Sequence, residues 1–156
     1  MVRLHLIRRL LARLSQVGPR GRRLVAEAVL CLLAARLALV FVPFPKLAQR
    51  LGRFVPPDQA PRFGGPPTAQ KVQSATDIGW AVTRAARYVP FKAVCLPQAI
   101  AAHGMLKRRG IASVMHFGAA FGMEKPLDAH AWLDAAGVEV TGYPVAKSFA
   151  EIACFV

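Results

Sequence analysis

Two side chains have the types and placement for nucleophilic chemistry. Cys95 sits in Val94-Cys95-Leu96-Pro97-Gln98-Ala99-Ile100, and His130 follows 35 residues later in Asp128-Ala129-His130-Ala131-Trp132-Leu133. A thiolate attacks a peptide carbonyl when a histidine takes its proton and later returns it to the departing amine, so one cysteine and one histidine form the minimal pair.

The elements around the pair can be read from their punctuation. Pro97 fits only the first turn of a helix, Leu96, Ala99, Ile100 and Leu106 recur at helical spacing, and Lys107-Arg108-Arg109-Gly110 supplies a cationic last turn and a terminal glycine. Cys95 therefore lies at the positive end of a helix dipole, which favours negative charge on sulfur. The runs Ile111 to Gly118, Asp128 to Leu133 and Val138 to Thr141 read as short strands. The expected fold class is α+β, with the cysteine helix packed against a small antiparallel sheet. At a helix start the backbone amide of Cys95 is the natural oxyanion donor, and Gln98, one turn on, is a second candidate.

A cysteine on a helix followed by a histidine on a strand resembles the transglutaminase-like, papain-related cysteine peptidases. The closer resemblance is to the B2 proteins of lasso-peptide biosynthesis, the leader peptidases of that pathway. It is carried by Arg87-Tyr88-Val89-Pro90, Cys95-Leu96-Pro97-Gln98-Ala99, Leu106 to Ile111, His116-Phe117-Gly118 and Ala129-His130-Ala131-Trp132-Leu133, in the second half of the chain. The resemblance implies removal of the leader from a ribosomally made precursor peptide. It also implies two partners, a small leader-binding protein and an asparagine-synthetase-like, ATP-consuming cyclase. The first third reads as helices, with no sign of the strands of a fused leader-binding domain, so the leader reader is expected in trans. No cofactor or metal is expected. Acyl transfer by the same acyl-enzyme is the enzymatic alternative, and a noncatalytic scaffold that docks peptide or membrane is the non-enzymatic one.

Such enzymes generally take a histidine-orienting acid from the strand after the histidine, and here the sequence departs from the pattern. A two-residue turn at Ala136-Gly137 predicts Asp134 opposite Glu139 and Trp132 opposite Thr141, which puts Thr141, or its neighbour Gly142, at the acid position. Asp134 and Glu139 fall near the turn, with Asp134 about 13 Å along the strand from His130, and Asp128 lies about 6.6 Å along it. The expected site is thus a Cys95–His130 dyad with Asp128 or Thr141 as the orienting group. His116, on the strand expected to neighbour that of His130, His5 and His103 read mainly as structural, as do Cys31 and Cys154.

Charge and hydropathy divide the chain. Of the net +13, residues 1–53 carry +10, with Glu27 their single acid. This excess suits an acidic peptide, a partner or an anionic lipid surface. Nucleic acid is set aside because the arginines lack interleaved aromatics and a binding motif. Leu4, Ile7, Leu10, Leu11 and Leu14 give the first residues a one-sided apolar helical pattern between arginines. Leu24 to Val42 is long and apolar enough for a membrane span, but Glu27 and Arg36 cannot share one polar stripe, which favours a buried or interfacial helix. Prolines and glycines between Phe54 and Pro67 predict a linker without regular structure, dividing a helical part (1–53) from a catalytic part (68–156). Three cysteines, an odd number, argue for a reducing compartment, so the expected location is the cytoplasm, with peripheral contact at the inner membrane face.

Overall fold

The computed structural model describes residues 18–59, 66–120 and 127–156, so the helix expected at Leu4 to Leu14 lies outside the described residues. The chain runs through α1 (Pro19–Phe41), α2 (Phe44–Leu51), β1 (Phe54–Val55), a 3-10 turn (Pro57–Gln59), α3 (Ala69–Ala86) and α4 (Cys95–Lys107). It continues through β2 (Ser113–Ala120), β3 (Asp128–Ala135), β4 (Val138–Thr141), a second 3-10 segment (Val145–Ser148) and β5 (Ala150–Phe155). The strands form one antiparallel sheet in the order β1-β5-β2-β3-β4, which makes the protein α+β.

Three layers follow from which faces are apolar. Met115, Ala131, Leu133, Ala135, Val140 and Phe155 turn one face of the sheet toward α3 and α4. Those helices meet it with small residues, Ala75, Ala81 and Ala85 on α3 and Ala99 and Ala102 on α4, interleaved with Ile78, Val82, Met105 and Leu106. α1 lies outermost and packs Val25, Ala28 and Leu32 onto both. Glu27 locks it there, accepting hydrogen bonds from Arg109 on both carboxylate oxygens (3.0 and 2.6 Å) and from Arg108 at 2.7 Å. These charges hold the Glu27 carboxyl at about 2. The Arg109 hydrogen bond is the largest cause and outweighs the opposing effect of burial, with Arg108 assisting.

The two helices on the sheet start differently. Thr68 caps α3 by accepting from the Lys71 amide at 3.4 Å, and α4 opens from the extended Val94 with Cys95 as its first residue. Gly110, at φ +64°, ends the connection out of α4 in the left-handed conformation suited to glycine.

Two departures from the expected pattern matter. The stretch expected to lack regular structure contributes β1, whose Phe54 and Val55 pair with Phe155 and Cys154. Pro56, with no amide to donate, stops the strand after two residues. The β3–β4 hairpin has positive φ at both Ala136 (51°) and Gly137 (73°), as a two-residue primed turn requires, and Asp134 faces Glu139 as expected. Beyond that pair, Val140 is an extra residue, a bulge, so Thr141 faces Leu133 instead of Trp132. Thr141 thereby turns to the helix side of the sheet and is buried.

Candidate active site

A cleft of about 240 Å³ lies where the start of α4 meets the end of β4, and Cys95, Gln98, His130, Thr141 and Gly142 all line it, with Thr83 of α3 and with Glu139 and Tyr143. A larger hollow of about 620 Å³ between α1 and α3 is lined by arginines and acids and by no cysteine or histidine, so of the two it is the smaller cleft that brings a cysteine and a histidine together.

Cys95 is half-buried and is the first residue of α4. The opening amides of a helix have no intrahelical partner, Pro97 has no amide hydrogen, and the Gln98 amide bonds to Val94 O at 3.3 Å. Among the described residues this leaves the amides of Cys95 and Leu96 as the donors of the first turn without a partner. The Gln98 side chain donates from Nε2 to Ala93 O at 2.7 Å, bracing the turn that delivers Cys95.

Among the described residues no carboxylate touches His130. Its Nε2 lies 2.8 Å from the carbonyl oxygen of Gly142. A carbonyl only accepts, so Nε2 carries the hydrogen, and in the neutral ring Nδ1 holds the lone pair able to take a thiol proton. The ring stacks on Phe149 (5.0 Å between centroids, 27°) and on Trp132 (6.2 Å, 20°), which removes its rotational freedom. Asp128 lies at the exposed start of β3, outside the cleft lining. The Thr141 hydroxyl, buried in the cleft wall, has no hydrogen-bond partner. The orienting position is thus filled by backbone, one residue beyond Thr141.

Gly142 can fill it because it is glycine. Its φ is +91°, and a Cβ there would lie 2.6 Å from the Trp132 Cβ and 2.7 Å from the Ala131 carbonyl oxygen. Tyr143 holds the same turn from the other side, its hydroxyl donating to Asp134 Oδ1 at 2.7 Å. Burial, helped by the Asp134 charge, pushes the Tyr143 phenol up, so it stays a donor at any ordinary pH.

Behind the site lies a second charged group. His116 stacks on the far part of Trp132 at 5.4 Å and 6°, with Nδ1 2.5 Å from Glu151 and Nε2 3.2 Å from Asp134. The Asp134 contact is close enough for charge attraction but lies off the hydrogen-bond direction. Burial alone would lower the His116 pKa, yet the two carboxylates together outweigh it and the net direction is up. A bulge at Ile152 shifts the β5 register so that Glu151 pairs with Gly118 on the His116 face. Gly118 also leaves room for the stack, since a Cβ there would meet Trp132 at 2.7 Å and Phe149 at 2.9 Å.

The other cysteines and His103 have different surroundings. Cys154 is buried, its thiol donating to Val55 O at 3.1 Å, and burial pushes its pKa up. Cys31, on α1, accepts from Arg108 at 3.1 Å, and His103 Nδ1 pairs with the Ser113 hydroxyl at 2.9 Å. Among the described residues no three His, Cys, Asp or Glu side chains gather as a metal site.

Sequence reading reached Gly142 as a position beside Thr141 but not its carbonyl, and it missed Tyr143 and the role of Asp134. Gly142-Tyr143-Pro144, a turn signal directly after a strand, marks the place.

Comparison with known proteins bears on the same region. The family model of the transglutaminase-like superfamily matches residues 38–154, well over half of the chain and including both Cys95 and His130. No curated protein and no solved structure matches the chain. A cysteine opening a helix, a histidine on the sheet beside it and a family match across both lead to one conclusion: the chain belongs to the transglutaminase-like superfamily, whose activities are of cysteine-peptidase and acyl-transferase type.

Proposed function

We propose that the protein is a cysteine peptidase that removes the leader from a ribosomally made, lasso-type precursor peptide. The observation that carries the catalytic part is the His130–Gly142 bond, because it fixes the tautomer that leaves Nδ1 free as a base in the cleft lined by Cys95. The lasso assignment is supported by the resemblance of the Cys95 and His130 segments to the B2 proteins.

In this reading Nδ1 of His130 accepts the Cys95 thiol proton as sulfur attacks the scissile carbonyl carbon. The negative oxygen of the tetrahedral intermediate is met by the free amides at the start of α4. Collapse breaks the C–N bond, the His130 imidazolium gives its proton to the departing amine, and an acyl thioester remains. Water, deprotonated by His130, attacks the thioester, expels the Cys95 thiolate and releases the leader acid. Acid–base assistance of this kind contributes about 10²- to 10⁴-fold in rate. The leader-binding protein presents the precursor in trans, and the ATP-consuming cyclase uses the freed core peptide.

The test is cleavage of a precursor peptide by the full chain, with the leader-binding protein supplied, followed by mass spectrometry. Cys95→Ala and His130→Ala should each lower turnover at least about 10³-fold with the fold intact, while Cys31→Ala and Cys154→Ser retain it. Normal turnover by Cys95→Ala would overturn the assignment. A product bearing an added amine in place of water would make the enzyme a transferase.

A further inference from the structure

α1 is apolar on both sides, and the described residues cover only one of them. Val25, Ala28, Leu32 and Ala35 are buried against the protein, whereas Leu30, Leu33, Leu37, Val40 and Phe41 are exposed on the outer side, with Phe44 of α2 continuing the row. Their spacing of three and four residues places them on one stripe that begins, one and two turns earlier, with Ala26 and Arg22. From Arg22 to Phe41 the stripe is about 29 Å long. The helix has a mean hydropathy of 2.3 over its most apolar window, of which 28 % is buried. A helix that is hydrophobic all round requires an apolar environment on every side, and the described residues supply it on one.

The helix does not reach that environment as a membrane span. Ala28 and Leu32 are fully buried with α3 and α4, and Glu27 is bound to Arg108 and Arg109, so withdrawing α1 into a bilayer would open the core. It can only present its outer face sideways.

Charge and chemistry indicate the occupant. Exposed Arg22 and Arg23 lie at one end of the stripe, and exposed Lys46, Arg50 and Arg53 follow the other. The single acid of residues 1–53, Glu27, is already bound to two arginines. Between Arg23 and Lys46 only Glu27 and Arg36 carry polar nitrogen or oxygen in their side chains. A specific protein interface carries about one hydrogen bond per 100–200 Å², which this face has few groups to make, whereas acyl chains ask for none and acidic headgroups pair with the flanking cations. We propose that the outer face of α1, extended by Phe44, docks the protein on an anionic lipid bilayer with the helix lying along the surface.

The test is flotation of the full chain with phosphatidylcholine vesicles, with and without phosphatidylglycerol, together with the oligomeric state in solution. The wild type should bind the phosphatidylglycerol vesicles at least about tenfold better than the neutral ones, with the difference shrinking as salt rises from 0.1 to 0.5 M. Leu30→Gln/Leu37→Gln/Phe41→Gln, or the milder Leu37→Ala/Phe41→Ala should the first misfold, should lose at least about tenfold of that binding while keeping the melting temperature. Arg22→Gln/Arg23→Gln/Lys46→Gln should lose the preference for acidic lipid. Equal binding by the folded apolar variants, equal binding to neutral vesicles, or no vesicle binding by the wild type overturns the proposal. A wild-type dimer that the apolar variants dissociate, without vesicle binding, would assign the face to a second copy.

Discussion

The Tyr143 hydroxyl donates to Asp134 across 2.7 Å, and the carbonyl of the residue before it holds the Nε2 hydrogen of His130. An acid is therefore linked to the histidine at one remove, through backbone. Tyr143→Phe should lower kcat about three- to tenfold, with KM little changed. Asp134→Ala should match it, and the double variant should be no worse, because both remove one link. Asp134→Asn keeps an acceptor and should retain most activity. Additive losses in this cycle would show that the two residues act separately.

Gly142→Ala tests the carbonyl itself. The added methyl must collide with Trp132, so the turn moves and the Nε2 hydrogen loses its partner. The expected cost is at least about tenfold in kcat, equivalent to about 1.4 kcal/mol of transition-state stabilisation, with about 1–3 kcal/mol of folding stability. Kinetics on material shown folded by circular dichroism decides it. Full activity would mean that His130 is oriented by something else.

Much of this site was legible because residue types mark it. Pro97 and Gly110 bracket the nucleophile's helix, and Ala136-Gly137 announces the hairpin after His130. Gly142 was within reach as a position, but its carbonyl escaped as the orienting group because a carbonyl belongs to every residue and has no motif, and the Val140 bulge breaks the alternation that favours Thr141. β5 escaped for a related reason. Its extra residue at Ile152 interrupts the period of two, although the strand lies between β1 and β2. The linker reading covered β1 because two residues before a proline are too few to show a pattern.

Acid should unlock α1. The Glu27 carboxyl is held at about 2 against an ordinary 4.5, so its ion pairs stabilise the fold fully above pH 4.5 and are lost as pH falls toward 2. Partial exposure of the arginines reduces the effect, and Glu27→Gln should cost about 1 kcal/mol at pH 7. Urea midpoints of the two proteins should converge as pH drops from 4.5 to 2. A constant gap would place the stabilisation elsewhere.

The His116 cluster should respond in the opposite direction. A histidine whose pKa is raised by Asp134 and Glu151 stabilises the fold fully below about pH 6.5 and loses that contribution as pH climbs through its raised value. His116→Gln should cost about 1–2 kcal/mol at pH 6 and less at pH 9, measured by thermal melting. A gap that widened with pH would contradict an ion pair here.

Gly79 on α3 has one more consequence. A Cβ there would come within 2.5 Å of the Val140 carbonyl oxygen, so the helix backbone lies directly against β4, while the opposite border of the sheet is the two-residue β1. The Val140 carbonyl at the β4 border is thus covered by α3 and not open to another strand. An extended peptide arriving at Cys95 cannot register itself by joining the sheet at Val140 unless α3 gives way. Under the proposed function, selectivity for a particular peptide then rests on the side chains around the cleft and on the proposed leader-binding partner.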